Sequence, residues 1–334
     1  MRTPRWWYQR RPPAPVTRAL LRPFSWLWAA QTARRIRRGD PYDPGVPVIC
    51  VGNLTVGGTG KTPVVRALLD RLRERGVEAH ALSRGHGGRL PGPVRVDPAS
   101  HTAAEVGDEP LMLAKAHPVW IARDRAAGAR AAAEAGATTI VMDDGHQNPL
   151  VHKTLSLVVV DGETRDGEWP FGDGAVFPAG PMREPLAAGV ARADAVVVLL
   201  PADLEAADPD LLAYFSATPV LRARLKPAVP PPSGPQVGFA GVGKPWKVER
   251  ALRAAGCDLK DFVPLSDHQA LDERLLGAIA TRAAVFGAGM VTTEKDFVRL
   301  PPPWRERVTA WPVCARFEDG SALDRLFGIV ATNS

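Results

Sequence analysis

The sequence predicts an α/β protein: a mostly parallel sheet with helices on both faces, plus a smaller second α/β domain. Three observations carry that expectation. From Pro47 onward, short apolar runs alternate with helical stretches, the pattern of strands covered by crossover helices. A glycine-rich loop lies between the first apolar run and the first helical stretch. Residues 227–235 read Pro-Ala-Val-Pro-Pro-Pro-Ser-Gly-Pro, the clearest linker in the chain, and a second alternating unit begins beyond them.

The elements follow in order. Apolar runs at 48–51, 79–82, 119–122, 139–142, 157–160 and 195–200 are expected strands. Helices are expected over 63–75, ended by Gly76, over 109–116, and over the Ala-rich 125–135, stopped by Gly136. After the linker, strands at 237–240 and 262–265 each lead into a helix, the second from about residue 272. A strand at 291–293 and a final apolar strand and helix close the chain, and the return of this last pair to the first domain is left open. The expected units are therefore 1–40, 41–226, the linker 227–235, and 236–334.

Composition narrows the class. With 334 residues, 45% hydrophobic and 23% charged, the chain can bury a sizeable core without staples. Cys50, Cys257 and Cys314 are odd in number and widely spaced. That argues against a disulfide framework or a zinc site and implies a reducing compartment.

The charge is local. Residues 1–40 hold ten Arg, no Lys and one acid, Asp40, so this segment carries +9 of a total of +6 and leaves −3 for the rest. The same residues hold Trp6, Trp7, Trp26 and Trp28. Arginine interleaved with tryptophan fits an anionic membrane surface. Phe24, Leu27 and Trp28 have the spacing of one helical face, with Pro23 suited to a first turn. A helix packing its Trp face on its own domain is the alternative. A signal peptide is opposed by Arg22 and Pro23, and no run is long enough to span a membrane. Basic charge confined to one end, with an acidic remainder, makes a poor nucleic-acid binder, and no obligate protein partner is inferred.

Gly57-Gly58-Thr59-Gly60-Lys61-Thr62 follows a strand and opens a helix, the context of a phosphate-binding loop. Backbone N–H groups of Thr55, Val56, Gly57, Gly58, Thr59 and Gly60 would cradle phosphate oxygens, Lys61 would reach the outer phosphates, and the Thr62 hydroxyl would meet Mg²⁺. The general pattern wants glycine where Thr55 stands. A second match, Gly238 to Lys244, is followed by Pro245, which offers no hydroxyl or N–H, so it reads as a turn that starts a helix. Asp143 and Asp144 end an apolar strand and suit metal ligation. Asp108 in Gly107-Asp108-Glu109-Pro110 reads either as a helix cap or as a base for an acceptor hydroxyl. His268, in Ser266-Asp267-His268, would assist that base if the domains close, and Asp267 reads as a cap. Arg84, Arg125 and Arg183 are candidate anion clamps.

Together, residues 52–63, Ser83–Gly88, Gly107–Pro110, Asp143–Gln147, Arg183–Pro185, Ser266–His268 and Thr293-Glu294-Lys295-Asp296 resemble, in order, the signature of the tetraacyldisaccharide 4′-kinases of lipid A synthesis. The resemblance implies transfer of the ATP γ-phosphate to the 4′-hydroxyl of a tetraacylated glucosamine disaccharide 1-phosphate, giving lipid IVA. It implies a P-loop NTPase-like core, a smaller domain, and a basic N-terminal helix facing the cytoplasmic side of the bacterial inner membrane. By motif match, Asp108 is the base and His268 its partner. Lys61 and Thr62 hold phosphate and Mg²⁺, Asp143 and Asp144 take the Walker B position, and Glu109, Arg125, Arg183 and Glu184 match other site positions. His146 and Asn148 depart from the family pattern. The rival readings are a P-loop switch or metallochaperone ATPase, and a nucleic-acid-stimulated ATPase; neither yields a lipid product.

Overall fold

Thirteen strands, together with the five α-helices that precede Thr139, frame the site among the described residues. The structure is a computed structural model that describes residues 4–11, 13 and 15–332, so Arg2 of the basic segment lies outside it. The helices are α1 Pro15–Arg37, α2 Lys61–Glu74, α3 Ala103–Val106, α4 Asp108–Leu113 and α5 Arg125–Glu134. The strands are β1 Val48–Gly52, β2 Ala79–Ser83, β3 Val94–Arg95, β4 Val119–Ile121, β5 Thr139–Asp143, β6 Leu155–Asp161, β7 Ala195–Pro201, β8 Val220–Pro227, β9 Gln236–Ala240, β10 Leu259–Pro264, β11 Gly289–Thr293, β12 Val308–Trp311 and β13 Val313–Phe317.

The larger sheet has nine strands in the order β13-β8-β7-β6-β1-β5-β2-β4-β3. Every neighbouring pair from β8 to β4 is parallel, and the two edge strands β13 and β3 are antiparallel. The smaller sheet, β10-β9-β11-β12, is wholly parallel. This is a P-loop NTPase-like fold with a second, smaller α/β sheet.

Burial on both faces explains the apolar strands. On β1, Ile49 and Val51 face Val64, Val65, Leu68, Leu69 and Leu72 of α2. Val48 and Cys50 face the other way, against Ala129 and Ala132 of α5. A strand covered on both sides reads as a continuous hydrophobic run.

Two strands, β3 and β8, were not expected from the sequence, and where one closing strand was expected there are two, β12 and β13. In β8, Leu221, Ala223 and Leu225 alternate with Arg222, Arg224 and Lys226, and the charged run merges into the Pro-rich segment. β13 lies outside β8 in the large sheet. The helix Gly320–Thr332 then packs Leu323 and Phe327 into the core on the α2 side. There Asp324 accepts from Arg71 at 2.7 and 3.1 Å.

The N-terminal helix corrects one expectation. Pro23 is not in its first turn: the helix starts at Pro15 and runs through Pro23. Residues 16–22 form helix readily, and Pro15 takes the first-turn role. Pro23 forfeits one bond to the Ala19 carbonyl, but both residues are exposed and water can take that carbonyl. The helix docks through polar residues. The Ser25 hydroxyl donates to Val176 O at 2.7 Å and accepts from Ala179 N at 3.1 Å. Trp28 donates to Arg183 O at 3.1 Å, and its ring lies 4.9 Å from Phe177. Phe24 and Leu27 do not join Trp28 in this contact. With Val16 and Leu20 they form an apolar stripe, 60–72% exposed, on the side away from the core.

Candidate functional site

The loop after β1 is braced before it is a site. Asn53 is buried, and its amide donates to Thr59 Oγ1 at 3.2 Å and Gly57 O at 3.4 Å. Gly57 and Gly60 have φ of +104° and +80°, values that side-chain-bearing residues avoid. A Cβ on Gly60 would also stand 2.4 Å from a Leu199 methyl. Thr55, where the general pattern wants glycine, is held extended by a bridge to Met182. Val56 N donates to Pro181 O at 2.7 Å. With no positive φ there, glycine is not needed. Thr55 is buried behind the loop, so the cradle facing the cleft runs from Val56 to Thr62. The amino end of α2 points into that cradle and favours anions.

Around the loop the expected charges gather. Lys61 Nζ is 3.5 Å from Asp144 Oδ1. Arg183 bonds Asp144 Oδ1 at 2.7 Å through Nη1 and Thr55 O at 3.0 Å through Nε. Burial pushes the Asp144 carboxyl up, but Lys61 and Arg183 outweigh it and hold it well below the usual carboxylate range. Its neighbour behaves oppositely. Asp143 is buried, its Oδ1 has no hydrogen-bond partner, and burial followed by the charge of Glu109 pushes its carboxyl up to about 7. An unpartnered buried carboxylate oxygen in the cleft that Thr62 also lines is a fitting ligand for a hard divalent cation. Arg125 starts α5, is buried, and donates to Ala122 O at 2.9 Å and Asp143 O at 3.4 Å. Burial lowers its pKa to about 10. Arg84 is exposed on the cleft wall.

Asp108 is not a cap. Gly107 holds the cap position, and Asp108 is the first residue of α4, with Oδ1 accepting from Glu109 N at 2.9 Å. Its Oδ2 faces His268 Nδ1 across the gap between the sheets at 3.1 Å, an ion-pair approach without a well-aligned hydrogen bond. Burial raises the Asp108 carboxyl, yet His268 and Lys295 bring it below its ordinary value. Asp267 is not a cap either, since Asp272 caps the following helix. All these groups line one cleft of about 2120 Å³ between the two sheets.

Glu184 does not line that cleft, which corrects its expected role. It is buried, takes two bonds of 2.7 Å from Arg192, and accepts from Gln147 Nε2 at 3.0 Å. That same amide nitrogen donates to Asn53 O at 2.9 Å, so Glu184 acts on the loop from behind. His146 is also structural: buried, with Nε2 2.9 Å from Gly189 O and Nδ1 3.1 Å from Ser156 Oγ. Asn148 lines the cleft, its Oδ1 accepting from Leu150 N at 2.8 Å.

The sequence reading assigned no role to three residues found here. Lys295 bonds Glu109 at 2.9 Å. Lys244 and Lys247 converge on Asp161 at the carboxyl end of β6, at 2.9 Å and 2.6 Å. Lys244 precedes Pro245 at the start of a helix, as the turn reading expected, and Gly243 abuts the Gly58 amide. The position of Asp161 at the end of a buried strand was the available signal.

Residues 17–330 match the family described as tetraacyldisaccharide-1-P 4′-kinase. The chain belongs to that family. It is 69% identical to the tetraacyldisaccharide 4′-kinase of Caulobacter vibrioides over 97% of each chain. It is 68% identical to that of Phenylobacterium zucineum over 98% of each. The tetraacyldisaccharide 4′-kinase of Rhodospirillum centenum is 53% identical over 98% of this chain and 96% of its own. Among solved structures, LpxK from Aquifex aeolicus in complex with ATP superposes with a TM-score of 0.73 at 26% identity, covering 94% of this chain and 99% of that one. The resemblance to tetraacyldisaccharide 4′-kinases therefore extends through both sheets, not the phosphate-binding loop alone.

Proposed function

We propose that this protein transfers the γ-phosphate of ATP to the 4′-hydroxyl of a tetraacyldisaccharide 1-phosphate, forming lipid IVA at the cytoplasmic surface of the bacterial inner membrane. The observation that carries the reading is the Asp108–His268 pair, 3.1 Å apart across the cleft that also holds the phosphate loop. A switch ATPase has no need of a base poised for a second substrate.

Each residue has a task. The amides of residues 56–60 and the amino end of α2 hold the β- and γ-phosphates, and Lys61 offsets charge on the transferring group. Arg183 keeps Asp144 and the loop in register. Thr62, Asp143 and Asp144 would hold Mg²⁺, which supplies charge neutralisation on the phosphates. Asp108 accepts the hydroxyl proton, and His268 orients it. A carboxylate of lowered pKa is a weak base, which suffices because phosphoryl transfer depends mainly on positioning and charge stabilisation. Arg84 and Arg125 supply positive charge on the acceptor side of the cleft.

Membrane attachment has its own support. The stripe of Val16, Leu20, Phe24 and Leu27 faces outward while polar Ser25 and Thr32 face the core, the reverse of a helix packed to bury apolar surface. Arginines flank it, as anionic lipids favour. No helix among the described residues is long and apolar enough to cross a membrane. We read residues 1–40 as the membrane-facing segment, 41–226 as the core, 227–235 as the linker and 236–334 as the smaller unit, from which β13 returns to the core sheet and the last helix packs against it.

The test is incubation with γ-labelled ATP, Mg²⁺ and the disaccharide lipid in vesicles. Label on the lipid supports the reading. ATP hydrolysis with no labelled lipid sinks it.

A further inference from the structure

The Thr293-Glu294-Lys295-Asp296 run has no task in the reading above, yet all four side chains are engaged. Thr293 and Asp296 close the turn on each other, with Thr293 Oγ1 donating to Asp296 Oδ2 at 2.8 Å and accepting from Asp296 N at 3.1 Å. Asp296 also accepts from Gly241 N at 3.0 Å, and Gly241 O accepts from His268 N at 3.1 Å. The turn and the His268 loop are thereby one fixed body. The two middle residues cross to the larger sheet. Glu294 receives a fork from Arg66 of α2 at 2.8 and 3.0 Å. Lys295 reaches Glu109 at 2.9 Å, and the same Nζ lies 3.4 Å from His268 Nε2.

That second contact fixes more than distance. An ammonium has donors only, so the Nε2 it meets must accept, and in a neutral imidazole the proton is then on Nδ1. Nδ1 is the atom that faces Asp108.

We propose that Lys295 is a positioning residue for phosphoryl transfer: anchored on Glu109, it occupies the Nε2 edge of His268 and so keeps the ring proton on Nδ1, the nitrogen that faces Asp108, which leaves Asp108 as the proton acceptor. The proposal rests on the lipid-kinase reading for its consequence, though not for its geometry.

The groups facing His268 are Asp108 from α4, Lys295, Asp267 at 3.7 Å from Nε2, and the His86 ring at 5.8 Å. Asp108 draws the imidazole pKa up, burial and Lys295 oppose it, and the balance is a raised value. Removing Lys295 removes one opposing influence, so His268 would stay protonated to higher pH.

The test reads the tautomer directly, by ¹⁵N NMR of His268 in the full chain at about pH 9, where an ordinary imidazole is neutral and a lysine still charged. The expected wild-type spectrum has the proton on Nδ1 and a bare Nε2. A wild-type proton on Nε2 overturns the proposal, and this measurement needs no variant, nucleotide or lipid. Loss of lipid phosphorylation by the wild type would therefore strike the functional reading alone. In Lys295→Met, the Nε2-protonated form is expected to appear. The acidic limb of the kcat profile is expected to move to higher pH, and kcat to fall more than tenfold with KM for ATP within twofold. Lys295→Arg, which keeps a donor, is expected to restore much of the loss. An unmoved limb with an unchanged tautomer, whatever happens to kcat, would leave Lys295 a packing residue and contradict the proposal.

Discussion

Nδ1 of His268, on a loop of the smaller unit, lies 3.1 Å from Oδ2 of Asp108, at the start of α4 in the larger one. His268 holds a φ of +55° there, a backbone conformation rarely adopted by residues with side chains. The pair spans the cleft, so the base is complete only while the two sheets stand at this distance.

If Asp108 takes the acceptor proton, Asp108→Asn keeps the shape and loses the base. We expect kcat to fall by roughly 10² or more, with affinity for a non-hydrolysable ATP analogue within twofold of wild type. Steady-state transfer and titration of the analogue would check it. Turnover at the wild-type rate would remove Asp108 from the role.

Arg183 ties Asp144 to the Thr55 carbonyl through two different nitrogens. Lysine cannot reproduce that planar fork. Both Arg183→Met and Arg183→Lys should lower kcat/KM for ATP by at least about tenfold, or roughly 1.4 kcal/mol. A fully active Arg183→Lys protein would show that charge alone is sufficient.

The outward stripe of α1 gives a prediction of opposite character. Replacing Leu20, Phe24 and Leu27 together by Ser removes exposed apolar surface, so the melting temperature should hold or rise slightly. Vesicle partitioning should fall on the order of 10²-fold, if each immersed side chain contributes about 1 kcal/mol. Sedimentation with anionic vesicles reads this, and unchanged binding would reduce the stripe to incidental surface.

His146 links pH to stability. Burial first, against a bond to Gly189 O, pushes its pKa from 6.5 down to about 4. The unfolded chain takes up this proton below about 6.5 and the folded chain does not until about 4. Stability should therefore be unaffected above pH 6.5 and decline between 6.5 and 4, by up to roughly 3 kcal/mol. His146→Ala should flatten that slope while costing about 2–4 kcal/mol at neutral pH through a cavity and two unmet partners. Denaturant midpoints across pH would decide, and an identical slope in the variant would exclude His146 as its source.

The fold was legible where burial writes itself into composition. β1, β5, β6 and β7 are enclosed on both faces and read as unbroken apolar runs. β8 escaped because it lies toward one edge of the sheet, where alternate side chains are charged. Pro23 was misassigned because proline marks a first turn only when nothing helical precedes it. Of the site, the loop and the carboxylate pair were legible because their chemistry demands those residues in that order. Glu184 and Lys295 were not assignable from spacing. What separates them is a direction, toward the Arg192 side in one case and into the cleft in the other, and that is set by a local turn for Glu184 and by a partner 186 residues away for Lys295. Thr55 was legible as an exception but not as a physical one, since the Met182 bridge that makes glycine unnecessary comes from a distant segment.

The most direct test is a crystal structure of the protein with a non-hydrolysable ATP analogue, Mg²⁺ and the disaccharide lipid. The account requires the acceptor 4′-oxygen within about 2.6–3.2 Å of an Asp108 carboxylate oxygen and in line with the terminal phosphorus. A lipid seated elsewhere, or Asp108 remote from that phosphorus with the cleft closed, would contradict it.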